Sequence, residues 1–365
     1  MGRSAEFAAI RTCFNRLVDG QGGILSVIGE AGLGKSRLIA EIRHHFESEN
    51  LLWLEGRTLS YGQKISYWPF KEILRQYAGI TEDDGDAEAW GKFETKITGL
   101  FGETTNEILP YLASRMVGWA HYHLGNFAEA ATEAQELIRF GEDANDPQVR
   151  CWGLVVLGMS QYGMGRLHEA VSTLREAVEI AKTVPDQPTH GVAGGYLGKC
   201  YVRLGNFPIA FATLRDTEAF ARSHGARGAF NVTVDKALAE ALLSAAERGT
   251  GSEKSKSMRD THLASRRALK GAKAFLRSDV PEAVRHRGTY EWLATKPSAA
   301  QKWWMRSLSV ADETGMRYES GMTHLETGRR LKDPEHLRQA ETIFIEIGAE
   351  WDLAETRRLL ERFQT

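Results

Sequence analysis

The chain has 365 residues, 42% of them hydrophobic, with nine tryptophans and a formal charge of −2, enough apolar material for two or three cores, which excludes a disordered polymer. A pI near 6.6 argues against a protein that grips nucleic acid through a large basic surface, because neutralising phosphates takes clustered Lys and Arg. Cys13, Cys151 and Cys200 are widely spaced and form no CxxC pair, so neither a disulfide framework nor a structural zinc site is indicated, and a reducing cytoplasm is expected. The first twenty residues carry Arg3, Glu6, Arg11, Arg16 and Asp19 with no apolar centre, and no stretch offers the roughly 18 apolar residues of a membrane span, so no secretion signal and no membrane partner are expected.

In chain order, the first predicted element is a strand over Ile24–Ile28. It runs into Gly29-Glu30-Ala31-Gly32-Leu33-Gly34-Lys35-Ser36, which fits GxxxxGK[ST] at every fixed position. Glycines let successive backbone N–H groups turn inward around phosphate oxygens, and a helix from about Lys35 to Phe46 would point its positive end at them. Leu38, Ile39, Ile42 and Phe46 make that helix amphipathic. Lys35 would reach the outer phosphates and Ser36 would ligate Mg2+. The expected cofactors are ATP and Mg2+, bound by Gly29 to Ser36 with the adjoining Arg37. Next come a strand at Leu51–Glu55, a helix at Trp68–Tyr77, an acidic loop from Glu82 to Glu88 and a helix at Trp90–Phe101. Two strands are few for a parallel sheet, so residues 1–112 read as a partial P-loop NTPase domain.

From residue 113 the chain shows an internal period. Gly118, Gly158 and Gly198 are 40 apart, as are Gly125, Gly165 and Gly205, and Ala130, Ala170 and Ala210; Phe127, Leu167 and Phe207 fill a fourth column. Each unit reads as two antiparallel helices joined at the LGNF or MGRL turn, with small residues where helices cross and a bulky one filling the gap to the next pair. Loops at Glu142–Pro147 and Pro185–Pro188 separate the units. The columns resemble the tetratricopeptide repeat, stretched from its usual period of about 34. Repeats are expected over 113–247, a flexible linker over 248–258, rich in Gly, Ser and Lys, and further helical repeats over 259–365. Helices are predicted at Met258–Leu276, Pro281–Ala294, Ala299–Glu313, Arg317–Leu331, Pro334–Ile347 and Asp352–Phe363. The fold class is mainly α: a partial α/β P-loop NTPase segment followed by an all-α tetratricopeptide-like helical solenoid.

Several segments together resemble the regulatory half of bacterial class III adenylate and guanylate cyclases of the soluble adenylyl cyclase type, within the AAA and STAND-like P-loop ATPases. They are Gly2-Arg3 with Glu6, the loop from Gly29 to Leu38, Glu55-Gly56-Arg57 to Ser60-Tyr61-Gly62, Tyr67-Trp68-Pro69-Phe70, Pro110-Tyr111-Leu112-Ala113, Arg287 to Leu293, Gly328 to Leu331 and Glu346 to Glu350. The resemblance implies an ATPase module joined to repeats that act as a protein-interaction surface. In that family a cyclase domain precedes the ATPase, and the ATPase continues past Pro-Tyr-Leu-Ala to a Walker B strand ending in an acid, sensor residues and a lid. Here the chain passes from Ala113 into repeats, so a truncation at that junction is expected and no catalytic residue is assigned.

Other candidates weigh towards packing. Leu51–Glu55 is the nearest apolar run ending in an acid, but it matches the ordinary second strand; Ile343–Glu346 falls in a helical pattern. His44-His45 and His121-x-His123 do not share a helical face, so no two-histidine metal clamp results. Gly158 to Tyr162 lacks the last glycine of a nucleophile elbow. Trp303-Trp304 with Trp292 and Tyr290 read as core rather than a stacking platform. From Glu247 to Arg287, 11 Lys or Arg face 5 Asp or Glu, either a solvated face or a docking surface for an acidic partner. The expected function is a cytoplasmic ATP-binding signalling protein whose repeats meet a protein partner. The alternative is a non-enzymatic repeat scaffold with a degenerate nucleotide site.

Overall fold

The computed structural model describes residues 4–23, 25–29, 34–46, 51–56, 68–81, 83–101, 104–184, 186–223 and 232–363. Two compact units divide between Leu100 and Phe101. The first contains α1 (Ser4–Val18), α2 (Lys35–His45), α3 (Trp68–Ala78) and α4 (Asp86–Phe101). Leu38, Ile42 and Phe46 fall four residues apart on one face of α2 and its last turn, and they bury against Ile10, with Phe7, Phe14, Val27 and Leu51 around them. Phe14 stacks on Phe46 and Trp53 at 5.0 and 5.8 Å.

The expected α/β segment is corrected here. Among the described residues there is no strand: 25–29 and 51–56 are both irregular, and Ile24 lies outside them. A strand exists only through the neighbour that takes up its N–H and C=O groups. At Glu55 a side chain does this instead. The Gln76 carboxamide donates to the Glu55 carbonyl at 2.6 Å and accepts from the Glu55 N–H at 3.0 Å. The acidic stretch expected as a loop is also shorter, because α4 begins at Asp86; Glu82 lies outside the described residues.

The second unit is helical throughout. Its helices are α5 (Thr104–Leu124), α6 (Phe127–Asp143), α7 (Pro147–Met164), α8 (Leu167–Ala181), α9 (Gln187–Arg203), α10 (Phe207–Ser223), α11 (Val232–Arg248) and α12 (Gly251–Phe275). After a short 3-10 turn (Arg277–Asp279) come α13 (Val280–Leu293), α14 (Pro297–Thr314), α15 (Arg317–Leu331), α16 (Pro334–Ile347) and α17 (Glu350–Glu361). Helix α5 runs through residue 112, where the sequence suggested a boundary. The stretch expected as a flexible linker, 248–258, is helical from Gly251 onward. Its Ser and Lys content misleads because Thr261, Ala264, Ala268 and Ala272, further along the same helix, are buried and hold α12 in place.

Each helix packs on the next, and the odd-numbered helices from α5 to α17 also pack on one another, forming an inner layer. The array winds far enough for α15 to touch α5. Phe127 and Tyr318 meet edge to face at 5.4 Å, and Gly165 lies so close to Trp351 that a methyl group there would sit 2.6 Å from its Cβ. One core therefore holds both early and late repeats, from Tyr122 to Leu359.

The 40-residue columns have direct structural causes. Gly125, Gly165 and Gly205 end inner helices with φ of 87°, 83° and 74°, the left-handed conformation that stops a helix. Ala130, Ala170 and Ala210 are fully buried. A Cβ on Gly158 or Gly198 would lie 2.5 Å from Leu174 or Leu214, sixteen residues on, so these glycines permit the close helix crossing. The same spacing reappears at Gly288 and Trp304, with Ala300 buried between them, which the sequence reading did not connect. Asp146 and Asp333 cap α7 and α16 by accepting two backbone N–H bonds each, with Pro next in the chain.

Gly158→Ala is expected to lower stability by about 1–3 kcal/mol, because a well-packed crossing must open. Gly205→Ala meets no atom and carries only the left-handed penalty of about 1–2 kcal/mol. Urea midpoints of the two variants against the wild type measure both.

Candidate functional site

At the N-terminal site the structure brings Gly29, Gly34, Lys35 and Ser36 together; Glu30, Ala31, Gly32 and Leu33 lie outside the described residues. Gly34 has φ +74° and turns the chain into α2. The Lys35 Nζ donates back to the Gly29 carbonyl at 2.8 Å, so the two ends of the octet meet. Helix α2 has no side-chain cap, which leaves its first-turn N–H groups suited to a phosphate oxygen, with the exposed Ser36 hydroxyl beside them. The residues present fit a phosphate group on these grounds. Arg37 is directed instead along the helix to Glu41, at 2.9 Å and in solvent.

The remaining sequence candidates resolve into packing. His45 lies edge-on to Phe7 and Phe46, and burial pushes His123 down to about 4. Ser160 is buried and donates to the Val156 carbonyl at 2.8 Å. Trp304, 1% exposed, fills the space beneath Gly288, and Ile343–Glu346 lies within α16. Of the basic stretch, Arg267, Arg277, Arg285 and Arg287 pair with acids, whereas Lys256, Arg259, Arg266, Lys270 and Lys273 remain exposed along α12.

A second site, which the sequence reading did not find, lies on the inner face of the repeats. A cavity of about 160 Å3 is lined only by odd-numbered helices, α5 to α15, with Tyr122, Tyr162 and Tyr318 among its walls. Around it runs a network of buried ion pairs. Glu282 on α13 accepts from Lys199 of α9 and, at 2.6 Å, from Lys236 of α11, which also bonds Asp279 at 2.6 Å. Arg285 pairs with Glu319, and Arg203 of α9 with Asp352 of α17 at 3.1 Å. Glu326 accepts from Thr289 at 2.8 Å, Arg329 at 2.7 Å and Arg330 at 3.0 Å, and Arg330 also holds Glu247. Burial raises the Glu282 carboxyl, but the Lys199 and Lys236 ammonium groups overcome it and hold the group well below the usual range. The Glu326 pairs with Arg329 and Arg330 follow helical spacing within α15, but the other pairs join separate helices, and no spacing rule finds them.

The model of the AAA ATPase domain family matches residues 1–277. This chain belongs to that family. The match continues past the loop and through the repeats to the end of α12, so the AAA ATPase domain match is not confined to the N-terminal unit. The fold is similar to that of a Rap protein solved in complex with Competence and Sporulation Factor, at 14% identity and a TM-score of 0.54, covering 96% of this chain and 97% of that one. A STAND protein with a tetratricopeptide repeat sensor from Pyrococcus horikoshii is similar over 77% of this chain and 44% of its own, at 12% identity and a TM-score of 0.45. No curated protein matches the sequence. Among the described residues no helix is long and apolar enough to cross a membrane.

The inner network makes stability depend on pH in a defined direction. Burial raises the Glu326 carboxyl, yet Arg329 and Arg330 overcome it and bring the group to about 2. Its folded pKa lies below its unfolded one, so its contribution is complete above about pH 4.5 and is lost as pH falls towards 2. Denaturant titrations between pH 6 and 2 should show a shallower acid decline in Glu326→Gln than in the wild type.

Proposed function

We propose that this chain is a nucleotide-responsive regulatory protein of the cytoplasm: a triphosphate with Mg2+ binds at Gly29 to Ser36, and the helical repeats engage a protein partner. Membership of the AAA ATPase domain family supports the nucleotide, and the tetratricopeptide-like array supports the partner. The observation that carries the reading is Lys35 at the uncapped start of α2, with its ammonium donating back to the Gly29 carbonyl. In that role Lys35 and the first-turn N–H groups bind and orient phosphate, Ser36 holds the metal, and Mg2+ supplies charge neutralisation of the bound phosphates. The quoted segments from Gly29 to Leu38 and from Arg287 to Leu293 favour a signalling role of the kind carried by the regulatory half of class III cyclases. No hydrolytic residue is proposed.

A second reading, a scaffold that does not use nucleotide, is favoured by the small core around α2, four fully buried side chains beside irregular segments at 25–29 and 51–56. Calorimetric titration of the full chain with Mg-ATP separates the two. Saturable heat is expected, weakened about tenfold or more in Lys35→Ala because a charged contact to phosphate is lost. Lys35 is a partly exposed helix residue, so far-UV circular dichroism should be unchanged. Equal affinity in wild type and variant, or no heat in either, would overturn the nucleotide reading.

A further inference from the structure

The charges lining the inner cavity do not cancel. Glu282 is paired with Lys199 and Lys236, Glu319 with Arg285, and Glu326 and Glu247 with Arg329 and Arg330. Glu240 on α11 lines the same cavity and, among the described residues, makes no ion pair or hydrogen bond. Five carboxylates thus line the cavity against the four cations Lys199, Arg285, Arg329 and Arg330, and Lys236 behind them is bound by Asp279 as well as by Glu282. Glu240 is left without a direct ion pair. Burial raises its carboxyl, and the more distant charges of Lys199, Arg203 and Arg285 do not overcome that.

The acceptors around Glu240 have a specific arrangement. One oxygen of Glu240, one of Glu282 and one ring nitrogen of His286 lie within 4.8 Å of one another. His286 is 5% exposed, its Nε2 lies 3.9 Å from the Glu282 carboxylate while its Nδ1 makes no hydrogen bond, and burial holds the ring down to about 3, so it is neutral and, with the proton on Nδ1, can present the Nε2 lone pair. A carboxylate has about four lone-pair sites, so Glu282 can accept again while bonded to both lysines. Three acceptors at this spacing match the three N–H donors of a primary ammonium group, and its single charge matches the single deficit. A divalent metal fits less well, because its double charge exceeds the single deficit and meets twice the repulsion from the ammonium groups that already face both Glu282 oxygens. A water needs about 10–15 Å3 of such space, so the cavity of about 160 Å3 also admits an alkyl chain, with Leu243, Met322 and the tyrosine rings as apolar wall.

We propose that the inner cavity of the repeat array binds a primary ammonium group, held by Glu240, Glu282 and His286, on a small amine or on a lysine side chain of a peptide. The site is separate from the nucleotide loop and does not depend on it. Glu240→Gln removes a buried charge that has no direct ion pair, so this variant keeps its fold; circular dichroism and the urea midpoint check that. The test is calorimetric titration of the full chain with n-butylammonium, with its N-trimethyl analogue, with a capped Ala-Ala-Lys-Ala-Ala peptide and with zinc chloride alone. Saturable n-butylammonium binding on the order of 1 mM or tighter is expected. It should weaken about tenfold or more in Glu240→Gln and for the trimethyl analogue, which has no N–H to donate. The peptide binding as well assigns a lysine-bearing ligand, and its failure assigns a free amine; both support the site. No binding of n-butylammonium, equal binding by the variant, or zinc binding that Glu240→Gln abolishes while the amine is ignored would overturn it.

Discussion

The Glu282 carboxylate sits between the ammonium groups of Lys199 and Lys236, and three inner helices meet through it. An isolated charge in this interior would cost several kcal/mol of solvation, so each ammonium requires the carboxylate and the carboxylate requires them. The arrangement joins α9, the last inner helix with the strict period, to α13, the first after the long α12. Arg203 extends the same logic from α9 to Asp352 on α17, where the Tyr318 hydroxyl also donates at 3.0 Å. Apolar packing builds each helix pair, but these polar contacts select which inner helices face each other across the array.

That selection has a consequence for chemistry. When charges are paired almost completely in a low-dielectric interior, an unpaired one stands out, and Glu240 acquires its character from the pairing of its neighbours. The tyrosines around it add to this, since Tyr162 already carries Arg203 over its ring at 4.1 Å and Tyr196 carries Lys199 at 5.0 Å. Aromatic rings and carboxylates together make the inner surface a place for positive groups.

The N-terminal unit works by a different economy. Its packing rests on one face of α2 against α1, and the loop's useful feature is backbone: Gly34 at positive φ and uncapped N–H groups at the head of a helix. Backbone donors arranged this way serve an anion without any large buried surface, which is why a small core suffices to present them.

Much of the repeat architecture was legible in the chain. The glycine and alanine columns and the glycine turns at Gly125, Gly165 and Gly205 are features of one helix pair, so their residues lie close in sequence and repeat whenever the pair repeats. The helix beginning at Lys35 was legible for the same reason, its apolar face being set by spacing within one element. The strands at Ile24–Ile28 and Leu51–Glu55 were misread because apolar, β-branched composition describes a segment's preference, whereas a strand needs a lateral partner that no local pattern supplies. Gly251–Ser257 was misread because flexibility was inferred from composition, while burial further along α12 holds it helical. Lys199 and Glu282 are 83 residues apart, and Glu240 differs from its neighbours only in lacking a partner. Local spacing dictated the repeat helices and their turns; the winding of the array alone brought distant charges together, because charge balance in a buried space is a property of everything that faces it.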